Sequence, residues 1–341
     1  MLLKTLTSIL IYPLVLLGQL FGSSNTQVYV ATSTPTETKQ VQQIVANEVS
    51  TSTPEQAIKE KVGTKKTIKT KVVANTATST NSISNPIVEP VADFTTINTN
   101  ARKSIVNIFC TTKNNDFSPI SGTGVVINSS GLILTNAHIG QYFLLRDFRE
   151  KDYLKCIGRD GSPAYPKYNL ELVYISEDWV KENKSLLKEQ VPKGTGEYDF
   201  AFLRITSNID NSKFEQKISY TEPNIRELIN VGEPVLLASY PAGFLGGLSI
   251  IRDLNITSAV TNIQDIFTFK DGTIDIISVG GTVVSQKGSS GGLVVDKNTS
   301  LIGIITTSSD GNTTSSRGLN AITLSYINRS LQRELSLNMR E

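Results

Sequence analysis

GTGVVINSSGLILTNAHIG, running from Gly122 to Gly140, reads as two short β-type runs, Gly122–Ile127 and Leu132–Asn136, joined by the turn Asn128-Ser129-Ser130-Gly131. Val and Ile suit a pleated, half-buried strand, and Asn, Ser and Gly suit a tight turn. Similar runs lie on both sides. Ser104–Cys110 precedes the pair, and Tyr153–Ile157, Leu170–Ile175 and Phe200–Ile205 follow it, which makes six. A second set opens at Pro234: Val235–Ser239, Ser249–Ile263 with one break, Ile274–Val279, Leu293–Asp296, Leu301–Thr307 and Asn320–Thr323. Short strands with regular turn signals predict a sandwich or barrel, and two sets of six predict two barrels in an all-β fold. Two helices interrupt the pattern. Glu177–Gln190 carries Trp179, Val180, Leu186 and Leu187 at helical spacing behind a Ser176 cap, and Leu324–Leu335 follows the last strand.

The first 90 residues are of another kind. Met1–Gly22 has Lys4 as its one charge, ahead of a run of Leu, Ile and Val. That run is long enough for a bilayer, which takes roughly 17–25 residues. It reads as an uncleaved N-terminal anchor in preference to a removed signal peptide, and either places the rest of the chain outside the cytoplasm. No Cys follows it, so a lipoprotein anchor is excluded. From Val30 to Asp93 there is no aromatic residue and no Cys, and Pro35, Pro54, Pro86 and Pro90 punctuate a Thr-, Ser- and Lys-rich stretch. Such a segment buries too little apolar surface to offset chain entropy. Residues 23–90 are therefore expected to be a disordered linker, with a short helix opening at Thr53-Pro54-Glu55. Lys59 to Lys71 reads as part of a solvated spacer, with contact to anionic lipid or cell-wall polymer as the alternative. The globular domain occupies residues 91–341. Within 341 residues the net charge is only +2, which argues against a nucleic-acid binder working by charge. One His and two Cys leave little for a transition metal, and no cofactor is expected.

The chemistry concentrates at three places. His138, the one histidine, ends LTNAHIG at the close of a strand. Asp199, in EYDFAFL, opens a strand that reads as buried, where a carboxylate must find a partner or stay wet. His138 Nδ1 is the candidate partner, and an ordinary strand-start Asp is the plain alternative. Ser290 lies in Gly288-Ser289-Ser290-Gly291-Gly292. Glycines let the backbone approach a substrate closely, and the N–H groups of Gly288 and Ser290 are candidates to hold an oxyanion. The plain alternative is a glycine-serine turn. Serine needs a base to take its proton, usually an imidazole steadied by a carboxylate. The same five residues fit the G-x-S-x-G elbow, but that arrangement needs a histidine after the serine and none follows.

Taken together, GTGVVINSSGLILTNAHIG, YDFAFLRI, and QKGSSGGLVV with LIGIITTSS behind it resemble the trypsin-like (chymotrypsin-fold) serine proteases. The likeness is nearest to the bacterial HtrA/DegP-type branch and covers about Val91 to Leu335. It implies two six-stranded antiparallel barrels with the active site between them. His138 is then the general base, Asp199 its orienting partner and Ser290 the nucleophile, with the amides of Gly288 and Ser290 as oxyanion hole. Two departures stand out. Ser289 replaces the usual Asp or Asn, so activation through a freshly cut N-terminus is not expected. Leu293 replaces the usual Pro. The chain ends soon after its last helix, so a PDZ domain is not expected. In the family the residue six before the nucleophile lies at the base of the S1 pocket; here it is Val284. Thr306, Thr307 and Ser308 match the strand that pairs with substrate backbone. Cleavage after small or medium apolar residues follows. Cys110 and Cys156 fall on strands that become neighbours in a barrel of this topology, which predicts a disulfide; two buried thiols are the alternative.

The expected function is that of a membrane-tethered serine endopeptidase acting on exported or misfolded polypeptides. The alternative is an inactive relative that binds peptides or proteins. A surface protein working through its Thr-rich stalk is set aside, because the stalk has neither repeats nor aromatic residues. Oligomeric state is left open.

Overall fold

The structure, a computed structural model, describes residues 93–338 except 115–117, 186–195, 213, 215–216, 244, 246, 271 and 309–317. The expected anchor (1–22), the linker (23–90) and the far end of the helix predicted over Glu177–Gln190 lie outside the described residues. Among the described residues no helix is long and apolar enough to cross a membrane.

Six strands close the first barrel: β1 (Ile105–Thr112), β2 (Ile120–Val126), β3 (Leu132–Thr135), β4 (Leu154–Asp160), β5 (Tyr165–Ile175) and β6 (Ala201–Asn208). Their order is β1-β2-β3-β6-β5-β4, with every neighbouring pair antiparallel. The β2–β3 turn forms as its residues dictate. Asn128 Oδ1 accepts from the N–H groups of Ser130 (3.1 Å) and Leu132 (3.0 Å). Val106, Ile108, Ile133 and Leu203 fill the interior. Cys110 and Cys156 stand directly opposite on β1 and β4 and form the expected disulfide.

The second half contains β7 (Pro234–Ser239), β8 (Thr257–Asn262), β9 (Asp265–Phe267), β10 (Ile276–Ser278), β11 (Leu293–Val295), β12 (Leu301–Ser308) and β13 (Leu319–Thr323). Their order is β8-β7-β11-β12-β13-β10-β9. The two edge strands, β8 and β9, are consecutive, with only Ile263 and Gln264 between them. The sheet therefore curls round until its edges are the two halves of one bent segment. Seven ladder strands are thus six runs of chain, as expected, with two local corrections. Residues 249–252 are not strand but part of a helix, Gly247–Arg252. Ser239, the last residue of β7, pairs with Thr257, so the residues before Thr257 have no strand to join. The short β9 was not expected, because all three of its residues, Asp-Ile-Phe, are exposed and carry no in-out alternation.

Numbered in chain order, the helices are α1 (Phe94–Ala101), α2 (Ala137–Gly140), α3 (Glu177–Asn183), α4 (Gly247–Arg252) and α5 (Leu324–Asn338). Ser176 caps α3 by accepting from Trp179 N–H, as its position predicted. One apolar core spans both halves: Ile105, Val125, Leu134 and Phe202 meet Leu236, Leu293, Ile304 and Ile322, with Leu324 and Ile327 of α5 among them. α5 also reaches the first barrel. Glu334 accepts hydrogen bonds from Tyr174 Oη and from Ser176 Oγ (2.7 Å).

Candidate active site

β3 and β6 pair so that Thr135 faces Ala201. Asn136 to His138, which follow Thr135, are thereby brought beside Asp199, which precedes Ala201. Three contacts fix the meeting. Asn136 Nδ2 donates to Asp199 O at 3.0 Å, and the His138 backbone N–H donates to Asp199 Oδ1 at 2.9 Å. His138 Nδ1 lies 2.8 Å from Asp199 Oδ2 and 3.1 Å from Oδ1. Thr306 Oγ1, on β12 of the other half, donates to the same Oδ2 at 2.9 Å. Asp199 is fully buried and His138 nearly so. A buried carboxylate requires donors around it, and this one has all of these. A carboxylate against Nδ1 selects the tautomer with its proton there, which leaves Nε2 as an acceptor.

Asp199 is also held from behind. Tyr198 has a φ of +55°, a left-handed conformation that is strained for a residue with a Cβ. Its backbone N–H donates to Tyr326 Oη (3.2 Å), and the Arg333 guanidinium sits 5.0 Å from its ring centre and donates to its hydroxyl (2.5 Å). Both clamping residues belong to α5.

Ser290 is partly exposed, on a loop fastened to the first barrel through Thr123. Thr123 N–H donates to Ser290 O and Thr123 Oγ1 to Gly288 O, both at 2.8 Å. Thr135 Oγ1 in turn donates to Thr123 O at 2.7 Å. Thr135 lies three residues before His138, so one short strand segment supports both the His138–Asp199 pair and the Ser290 loop. Gly291 has to be glycine: its φ is +81°, and a Cβ there would fall 1.9 Å from Thr123 O. Among the described residues, neither the Gly288 N–H nor the Ser290 N–H has a protein acceptor.

Ser289 is buried. Its Oγ donates to Val284 O at 2.6 Å and accepts from Ser239 Oγ at 2.9 Å. Val284, expected at the base of a pocket, has no exposed surface and packs in the second core with Val235, Val294 and Ile305. Thr306, expected along a substrate strand, turns its side chain to Asp199 and is 2% exposed. The backbones of Thr307 and Ser308 pair with Asn320 and Leu319; their side chains lie outside the described residues. Sequence reasoning missed Thr123, Thr135, Asn136 and Ser239. Their residue types are ordinary, and only the Gly-Thr-Gly run around Thr123 marks a place of close backbone approach. Among the described residues no group of three or more His, Cys, Asp or Glu side chains is placed to hold a metal ion.

No curated protein matches this chain. Solved structures similar to it at low identity include the following three. The active form of the Rv3671c protease from M. tuberculosis is 16% identical with a TM-score of 0.43, over 72% of this chain and 86% of that one. Deg5 is 14% identical with a TM-score of 0.46, over 69% and 90%. The serine endoprotease from Yersinia pestis is 18% identical with a TM-score of 0.46, over 73% and 68%. Likenesses at this level assign no residue of this chain. A family model described as the trypsin-like peptidase domain, in contrast, matches residues 122–304, more than half of the sequence, and the chain belongs to that family of serine-type peptidases.

Proposed function

We propose that the chain is a serine endopeptidase in which Ser290 is the nucleophile, His138 the general base, and Asp199 the group that orients and charges against it. The observation that carries the reading is the buried His138–Asp199 pair, built from the one histidine of the chain and closed by Thr306. Ser290 Oγ attacks the scissile carbonyl carbon while His138 Nε2 takes its proton. The negative oxygen that develops is met by the free N–H groups of Gly288 and Ser290. His138 then returns the proton to the leaving amine, and the peptide's N-terminal half stays on Ser290 as an ester. Water then attacks the ester carbonyl while giving its proton to His138, which passes it to Ser290 Oγ as the ester bond breaks and the acid is released. Donors of this kind are worth about 10²–10³-fold in rate each.

Polypeptides are the substrates that a peptidase of this family implies. With Val284 rather than a carboxylate at the position compared with the S1 base, the favoured residue before the cut is small or medium and apolar. The apolar residues 1–22 and the Cys110–Cys156 bridge support a place outside the cytoplasm, attached to the membrane, with exported or misfolded proteins as targets.

The test is labelling of the full-length chain, purified in mild detergent, with a fluorophosphonate probe. Wild type is expected to be labelled, Ser290→Ala to be silent, and His138→Ala to be slowed about 10⁴-fold or more. Undiminished labelling of Ser290→Ala, or none of folded wild type, removes the proposal and leaves a peptide-binding relative in its place.

A further inference from the structure

The strand ends around Ser290 also dictate where the two halves of a substrate go, an inference that rests on the peptidase reading above. β11 begins at Leu293, opposite Ile304 of β12, and Gly291 N–H reaches Ile305 O. β12 runs on to Ser308. On its far side this extension is paired with β13, Thr307 with Asn320 and Ser308 with Leu319. On the β11 side, no strand among the described residues pairs with it beyond Ile305. A peptide added there antiparallel to β12 runs from Ser308 towards Thr306 and arrives at Ser290. Its N-terminal half lies on β12, and the half beyond the scissile bond leaves on the opposite flank of the Ser290 loop.

That flank is the continuation of β7, the other neighbour of β11, where Leu293 faces Ala238. Beyond Ser239 the chain runs along the Ser290 loop. Ala242 N–H donates to Lys287 O at 2.7 Å, and a Cβ on Gly243 would lie 3.2 Å from Gln286 Cβ. Leu245 then packs on the shared core, and α4 follows. α4 exposes Leu248 (72%) and Ile251 (46%), three residues apart and so on one face. Its last carbonyls are gripped from the first barrel by Arg159, whose Nη1 donates to Ile250 O (2.9 Å) and Ile251 O (3.1 Å). Arg159 is itself buried, stacked 4.2 Å from the Phe109 ring centre, with Nε donating to Asn107 Oδ1 at 2.7 Å. Asn107 Nδ2 donates to Gly122 O, beside the Thr123 that holds the Ser290 loop. Two side chains thus tie this exposed apolar face to the strand that positions Ser290.

We infer that Leu248 and Ile251 form an apolar subsite for the residues just after the scissile bond, so that the enzyme selects unfolded segments that are apolar on that side. The occupant is the departing half of the polypeptide substrate, because the segment that carries the face leaves β7 beside the Ser290 loop, on the side of β11 away from β12.

Three substrates test this, all with the same residues before the cut. One peptide continues with two leucines, one with two serines, and an anilide has no residue beyond the cut. Wild type should favour the leucine peptide about tenfold in kcat/KM, the scale set by covering a leucine side chain. In the double variant Leu248→Ser, Ile251→Ser, that preference should fall to about one while anilide hydrolysis stays unchanged. Leu248→Glu should instead raise kcat/KM on a peptide continuing with two lysines. Hydrolysis by wild type without discrimination overturns the subsite alone, as does a double variant that keeps the preference or loses the anilide in parallel. So does a Leu248→Glu variant indifferent to lysine. Failure of wild type to cut any of the substrates overturns the peptidase reading and the subsite with it.

Discussion

Ser289 is the residue at which this chain parts from the usual pattern, and its surroundings explain how the change is accommodated. A carboxylate at a fully buried position requires a cation or several donors. Here the neighbours are a carbonyl, Val284 O, and a hydroxyl, Ser239 Oγ, which a neutral serine satisfies with its single proton and a lone pair. The loop bearing Gly288 and Ser290 is thereby pinned without an ion pair. Ser289→Ala takes the acceptor from the buried Ser239 hydroxyl, while Val284 O keeps the Gln286 N–H at 2.7 Å, a loss of about 1–3 kcal/mol. We expect kcat to fall about tenfold with KM little moved, since binding along β12 does not involve the pin; steady-state kinetics on the anilide decide, and an unchanged kcat refutes the role. The residues proposed for the chemistry were legible in the sequence because their types or settings are demanding: one histidine, an Asp ahead of a buried strand, a pair of serines between glycines. Thr123 was not, and Thr306 was legible only as part of a substrate strand, not as a partner of Asp199. A threonine acquires such a role only from a partner far along the chain, as Thr306 does from Asp199, 107 residues away.

Among the elements, strands were easier to read than what joins them. Runs of Val, Ile and Leu between turn residues located twelve of the strand segments; β1, β2, β3, β7, β11 and β13 are largely buried on both faces, which makes their apolar signal continuous, whereas β5 and β8 are largely part-exposed. Ser249–Arg252 has the same composition but became helix for want of a strand edge, information that belongs to β7 and not to the segment. α5 illustrates an element whose ends matter more than its middle. Its Glu334 is buried against Tyr174 and Ser176, and burial raises its carboxyl above the ordinary 4.5. Hydrogen bonds from those two hydroxyls and the Arg333 charge pull the other way, Asp178 pushes in the same direction, and burial prevails. A raised value means that the folded chain binds this proton more tightly than the unfolded one. The contribution to stability is full below the ordinary value and is lost as pH rises through the raised one. Glu334→Gln removes that dependence. Urea midpoints of the two proteins should draw apart in favour of the variant between acid and neutral pH; parallel curves would show that Glu334 ionises in the folded state at no penalty.

At the scale of the whole molecule, Ile105, Phe202, Leu293 and Ile322 belong to a single core and α5 crosses between the two halves, so the halves are expected to unfold together. The Cys110–Cys156 bridge lies wholly in the first barrel but should stabilise both. It closes a loop of 46 residues, for which chain entropy gives about 4 kcal/mol. The double variant Cys110→Ala, Cys156→Ala is expected to lose about 3–4 kcal/mol in a single unfolding transition, monitored in parallel by tryptophan fluorescence and backbone circular dichroism. Two separated transitions would mean that the halves unfold independently.

The bent β8–β9 segment sets a different kind of limit. Because the first and last strands of the second sheet are the same stretch of chain, Ile263 and Gln264 act as the clasp of a ring. Ile263 is buried in the core and Gln264 is exposed, so a cut or a long insertion at the clasp disturbs the core at one residue and touches none of the residues proposed for catalysis. It also uncouples the two edge strands, whose outer N–H and C=O groups no strand among the described residues pairs and beside which Val260, Ile266 and Phe267 are exposed. The expected penalty at this point is aggregation as well as unfolding, so this two-residue bend is a place where the fold is exposed to self-association.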